Sequence, residues 1–305
     1  MTKNNQTAFV AVLALVAGCA HAESPREAGA PVPHIASGDS ATNASPAEAA
    51  PPSSNRADQT TKPNADENTN ETTKKTTAGS AIELLQRAEQ AANELNTLRA
   101  RLRYDRVQGL LGDRQRRFGE LLYDAGDEER APRFSVHLTR LLVDGKPREI
   151  DMRYIYDGRW LAEIDGDART FIRRELVPEG ERGRLLEMGE GPFALPLNMK
   201  VEAVRQRFEV EDVTAASEDG PPTLSLTPRE GYDVGLDQLT IEYDAKTMLP
   251  QSATTVEDAE AGELSILRLF DTRTGVELAD EAFDTTPPDD GGWDVQIVEI
   301  KQAAE

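Results

Sequence analysis

The sequence predicts an α+β fold, mainly β: a long antiparallel sheet curled into an open half-barrel. An N-terminal amphipathic helix precedes it, and short helices inserted midway act as a lid. Three observations predict this. Apolar residues first recur at helical spacing, at Leu84, Ala88, Ala91, Leu95, Leu98 and Leu102. The period then changes to two and keeps that value over most of the remaining chain. Asp-Gly pairs separate successive alternating segments, at Asp144-Gly145, Asp157-Gly158 and Asp165-Gly166. Such pairs supply the positive φ angles of tight hairpins.

In chain order, Lys3 is followed by an apolar run over residues 8–17. The run is too short to cross a bilayer, which takes about 20 residues, and has the length of a secretory signal core. Cys19 follows it and is the only cysteine among 305 residues. An intramolecular disulfide and a multi-cysteine metal site are therefore excluded. Val16-Ala17-Gly18-Cys19 resembles the lipobox of bacterial lipoprotein signals. That resemblance implies a mature chain that begins at an acylated Cys19. An ordinary signal cut near Ala20 or Ala22, and a chance apolar start, are the bland alternatives.

From Ala20 to Gly79 the chain is rich in Ala, Pro, Ser, Thr, Asn and Glu, with Val32 and Ile35 isolated. Such a stretch cannot bury enough apolar surface to offset the entropy of ordering it. As a flexible tether its ends lie about 45 Å apart. The predicted organisation is a lipoprotein signal peptide at 1–18, a disordered tether at 19–79 and one domain at 80–305, long enough for a sizeable core.

Ser80-Ala81-Ile82-Glu83 has the form of a capping box and predicts a helix start. The apolar stripe behind it packs on a sheet in the plain reading and forms a movable lid over a pocket in the sharper one. Alternation then marks strands around Tyr104, around Phe118 to Tyr123 and around Phe134 to Leu138. More follow at 150–156, 159–164, 170–175, 223–227, 239–243, 251–257 and 264–270. Pro250 sits at a strand start, where no ladder N–H is needed. Trp293 and Val295 mark a closing edge strand. Residues 180–208 break the alternation, with short helical pieces around "GEGPFALPL". A sheet of roughly nine to eleven strands tends to curl, and curling with helices in its mouth can enclose an apolar cavity.

The chemistry of catalysis is sparse. His21 and His34 precede the domain and leave His137 alone within it, so there is no histidine-based triad and no HExxH. No GxGxxG or P-loop is present, and no carboxylate pair stands out as an acid/base dyad. No catalytic residue, metal or cofactor is predicted. The formal charge is −21. Residues 1–79 hold 8 acids and 6 bases of the chain's 55 and 34, which leaves 47 against 28, or −19, in the domain. That balance argues against nucleic acid and against docking on anionic lipid by charge.

In its second half the chain resembles the LolA/LolB superfamily of bacterial lipoprotein carriers and receptors. "LSLTPRE", then "LDQLTIEYDAKTMLPQSATTVEDAEAGELSILRLFDTRTGVELADEAFDTTPP", follows the family's order: a strand ending in Leu-Thr-Pro, a strand, a turn, a strand and a Phe-x-x-x-Pro-Pro close. "GEGPFALPL" is similar to the family's Pro-Phe segment, and "YIYDGRWLAEID" to its strand-DG-strand hairpin. The resemblance covers about residues 80–295. It implies an open barrel with a helical lid that holds acyl chains. In the carrier, an arginine directly before a proline locks the lid. The matching point here is Ala131-Pro132, which leaves Arg130, one residue earlier, as the lid-lock candidate.

The residues expected to line the cavity are Tyr104, Leu121, Tyr123, Phe134, Val136, Leu138, Trp160, Phe171, Phe193, Leu195 and Phe208. Plain core packing is the competing reading of every one of them. Aromatics make up only 5% of the chain, which suits flexible acyl chains better than flat cofactors. The expected function is non-catalytic binding of acylated lipoproteins or other envelope lipids, in lipoprotein transport or localisation to the outer membrane. A monomer held at the membrane by lipidated Cys19 is expected, with no nucleic-acid partner. Ala20 takes the place of the Asp that resembles an inner-membrane retention signal, which favours the outer membrane; a soluble periplasmic protein is the alternative. An anchored binding or stress-sensor module is the second functional reading. A hydrolase, resting on His137 alone, has the least support.

Overall fold

The structure, a computed structural model, describes residues 69–143, 145–181, 193, 196–197, 199–214, 220–232 and 234–300. Helix α1 spans Thr69–Glu94. The start predicted at Ser80 is corrected, because the Ser80 hydroxyl donates to the Asp212 carboxylate instead of capping the helix. A nucleated helix gains one hydrogen bond per added residue. It can thus run on through a polar stretch, 69–79, that composition assigned to the tether. Its far end is also corrected. Leu98 and Leu102 belong to strand β1, not to the helix; a spacing of four fits the helical period and the strand period alike.

Twelve strands form one sheet. They are β1 Thr97–Gln108, β2 Asp113–Asp124, β3 Arg133–Val143, β4 Lys146–Tyr156, β5 Trp160–Asp165 and β6 Thr170–Glu175. After α2, Val201–Arg207, come β7 Phe208–Asp212, β8 Thr223–Pro228, β9 Gln238–Tyr243, β10 Pro250–Asp258, β11 Glu263–Thr274 and β12 Asp294–Val298. The strand beyond the expected range is β7. Phe208 ends α2 and begins β7 at once, so no turn residues separate the two elements in the sequence.

The order across the sheet is β12-β6-β5-β4-β3-β2-β1-β11-β10-β9-β8-β7. Two antiparallel meanders, β1–β6 and β7–β11, meet where β1 pairs with β11, for example Leu102 with Leu269. The sheet is curled and unclosed, with β12 and β7 at its two rims. One pairing departs from the all-antiparallel expectation: β12 runs parallel to β6, with Val295 opposite Phe171.

Gly145 and Gly158 take positive φ, 76° and 100°, at the first two Asp-Gly turns. Asp144 itself lies outside the described residues. At the third turn Arg169 carries the positive φ, 52°, and Gly166 does not. Gly166 serves a close approach instead. Its N–H donates to the Asp151 carbonyl at 2.7 Å, and a Cβ there would stand 2.4 Å from the Asp151 carboxylate.

Alternation sorts the side chains into two layers. The inner face carries the main core. Leu98, Leu102, Leu121, Val136, Tyr156, Leu161, Leu224, Leu239 and Ile241 are buried there together with Ala81, Leu84, Leu85 and Ala88 of α1 and Val204 of α2. A smaller outer cluster gathers Ile155, Ala162, Phe171 and Phe283. The C-terminal segment, with a 3₁₀ turn at Asp280–Phe283, covers that cluster. Arg133 holds it in place: the guanidinium donates to Asp280 at 2.6 Å and lies 4.3 Å over the Phe283 ring.

Candidate functional site

The inner face is the candidate site. Period-two alternation places Tyr104 of β1, Leu121 and Tyr123 of β2, Phe134, Val136 and Leu138 of β3, and Phe208 of β7 in one continuous apolar surface. Phe193 packs onto it from the inserted segment. Its ring meets Tyr104 at 5.2 Å between centroids and 89° between planes, and Tyr154 at 5.1 Å and 85°. Edge-to-face contacts of this kind favour a fixed ring geometry.

Charged groups share this face at its Tyr104 end: Arg117 lies opposite Tyr104 and donates to Gln115, and Arg106 is ion-paired with Glu257. Glu163 and Arg174 form an ion pair beside Tyr154. Burial raises the Glu163 carboxyl above the usual range, opposed by Arg174. Burial also pushes the Tyr123 and Tyr154 phenols up to about 12, with the charges of Asp124 and Glu163 adding to it. Tyr104 is raised by burial, opposed by its hydrogen bond with Ser265. Burial thus keeps the phenols protonated at neutral pH. Leu121, Tyr123, Phe134, Val136, Leu138 and Phe208 are buried in the packed core.

Two lining candidates stand elsewhere. Phe171 belongs to the outer cluster, fully buried against Ile155 and Phe283. Trp160 shares the face of Ala162 and Arg173, and its ring lies under the Arg173 guanidinium at 4.3 Å. The cause is strand parity: Leu161 turns to the inner core, so Trp160 and Ala162 turn outward. Leu195 and Cys19 lie outside the described residues. Arg130 is half-exposed and bonds Asp127 within its own loop at 3.2 Å. Among the described residues it has no partner in the inserted segment.

His137 lies on the outer face, its Nε2 2.9 Å from Asp151, which also accepts from Arg153. Among the described residues no group of His, Cys, Asp or Glu could hold a metal ion, and no helix is long and apolar enough to cross a membrane. Tyr154, which completes the aromatic trio, was missed as a site residue. Its signal was its spacing of two from Met152 and Tyr156 in "DMRYIYDG".

No protein-family model matches the chain. No curated protein sequence matches it. Solved structures do resemble it. A chain of the Pseudomonas aeruginosa MucA/MucB complex overlays 67% of this chain at 17% identity and a TM-score of 0.38. This chain spans only 60% of that one's length. A LolA superfamily protein from Nitrosomonas europaea overlays 67% of this chain and 97% of its own, at 13% identity and a TM-score of 0.33. The Mycobacterium tuberculosis lipoprotein LppX overlays 66% and 99%, at 10% identity and a TM-score of 0.34. These are likenesses of fold at low sequence identity.

Proposed function

We propose that this chain is a non-catalytic binder of acyl chains in the bacterial cell envelope, and that it holds them against the inner face of its curled sheet. The observation that carries the reading is the position of Phe193. The Phe193 ring, which belongs to none of the described strands and helices, stands over Tyr104 and Tyr154. An acyl chain laid in its place would meet apolar wall. Burial at about 0.8 kcal/mol per methylene drives a long chain into such a site.

The finer reading follows the sequence. Cys19, acylated, anchors the chain at the outer membrane facing the periplasm. The cargo is an acylated lipoprotein or another envelope lipid on its way to, or at, that membrane. No step of chemistry is assigned to the protein.

The test is uptake. The purified, delipidated chain is titrated with a fluorescent fatty-acyl probe. Saturable binding is expected, competed by an acylated peptide and not by the same peptide without its acyl group. Absence of uptake for every acyl probe overturns the proposal. A stoichiometric protein partner, captured equally with and without acyl competitor, supports the anchored sensor module instead. Mass spectrometry of the chain taken from its own membranes reports the mass on Cys19 and any lipid that travels with it.

A further inference from the structure

The outer face carries a cluster that acyl binding does not use. The Asp105 side chain is fully buried among three guanidiniums. Arg116 Nε donates to its Oδ1 at 2.7 Å, and Arg103 and Arg114 stand 3.3 and 3.7 Å from its Oδ2. One carboxylate thus faces three cations. Asp105 Oδ2 and Arg103 Nε are buried without a hydrogen-bond partner among the described residues. A structural ion pair needs one arginine, so two positive charges are left over.

Further arginines continue the row along the sheet as far as β3, where Glu149 of β4 lies opposite Arg140. Arg103 lies opposite Arg268 of β11 on one side and Phe118 of β2 on the other; Phe118 in turn lies opposite Arg140 of β3. The Arg140 guanidinium sits 4.4 Å over the Phe118 ring. Neither Arg268 nor Arg140 makes an ion pair among the described residues. In the next row Arg101, 75% exposed, is paired with Asp271, and Phe270 opposite it is 44% exposed. Glu120, opposite Arg101 in that row, is paired with Arg99 of the row beyond.

Position in the strand order matters. Strands β2 and β1 are the middle two of the twelve. The outer surface of a curled sheet meets a flat surface first at its middle strands. Arginine forks bind phosphate oxygens in pairs, and an exposed Phe beside them can enter the boundary between headgroups and acyl chains. The domain's charge of −19 is a sum over the whole surface. At physiological salt a charged plane senses only what lies within about 8 Å, and there it meets the arginine row.

We infer that the outer face of β11, β1, β2 and β3, centred on the Asp105–Arg103–Arg114–Arg116 cluster, docks on the phosphate headgroups of an anionic lipid bilayer. Asp105 is a positioning residue: it holds three guanidiniums in a fixed array. The docking is independent of acyl binding on the inner face, and it runs against the expectation drawn from net charge alone.

The test uses the full chain with Cys19→Ala, so that no acyl anchor contributes. Co-sedimentation is measured with phosphatidylcholine vesicles and with vesicles that also contain phosphatidylglycerol. Binding to the anionic vesicles alone is expected, weakening about fivefold for each of Arg114→Gln, Arg268→Gln and Arg140→Gln. These side chains are exposed, and circular dichroism checks that each variant folds. Arg229→Gln, which removes the same charge far from the row, is expected to bind like the parent. Equal weakening by Arg229→Gln, equal binding to both vesicle types or no binding overturns the proposal. A rise in melting temperature with inorganic phosphate, without vesicle binding, also overturns it and marks a site for a soluble phosphate. Binding of duplex DNA as tight as that of anionic vesicles overturns it in favour of unspecific attraction.

Discussion

The Phe193 ring stands edge-on to Tyr154, with centroids 5.1 Å apart and planes at 85°. Tyr154 is fixed by β4, whereas Phe193 belongs to none of the described strands and helices.

Phe193→Ala removes both edge contacts and part of the apolar burial. A loss of about 1–3 kcal/mol in stability is expected, read from the denaturant midpoint. Affinity for a fatty-acyl probe is expected to rise in the same variant, because the ring no longer competes for the inner face. A variant that is less stable and also binds more weakly would make Phe193 a part of the ligand's own contact surface.

Phe171→Ala is the contrasting case. The side chain is fully buried in the outer cluster with Ile155, Ala162 and Phe283. The expected cost is about 3–5 kcal/mol, with acyl-probe affinity in the folded fraction unchanged. Thermal melts and probe titration below the melting range check the two halves.

Gly119→Ala probes the bulge between β2 and β3. A Cβ at this position would stand 1.9 Å from the His137 carbonyl oxygen and 2.8 Å from its carbon. Backbone cannot swing aside as a side chain can. A destabilisation of about 3 kcal/mol or more is expected, seen as a lower urea midpoint.

Asp244 gives a pH test. Its carboxylate accepts from the N–H groups of Lys246 and Thr247 and from Gln251 in the β9–β10 turn. The Thr247 N–H leads the bonds that hold its pKa below 3.8. A depressed folded pKa adds stability above the unfolded value, and that stability is lost as pH falls through the folded one. Asp244→Asn is therefore expected to be less stable than the parent above about pH 4. The gap closes as pH falls below 3.8. Denaturant midpoints across that range decide it.

Much of the sheet was legible because alternation is a local property. Residues 170–175 have the observed bounds of β6, and the other strands named from alternation overlap observed ones. What alternation cannot say is which parity faces inward. Trp160 and Leu161 are neighbours with opposite fates, and only the register of β5 against β4 and β6, such as Leu161 opposite Tyr156, selects between them. The arginine row was illegible for the same reason: Arg268, Arg103 and Arg140 are scattered in sequence, and register alone aligns them. The helix start was misread because Ser80 satisfies a local capping pattern while its hydroxyl is used by Asp212, a residue of long sequence separation. Alternation marked which residues share a face, but the pairing of Phe193 with Tyr154 joins segments that share no local signal.

The seam between β1 and β11 has a consequence for how the chain is made. Leu98 finds its partner Thr274 only after both meanders have been synthesised. Until then the first meander exposes the long flank of β1, an open template for a neighbouring nascent chain. Release of a product cut short before β11 would leave that flank open for good. Of all truncations, those are the ones expected to aggregate during synthesis, whereas loss of β12 alone strips only a rim.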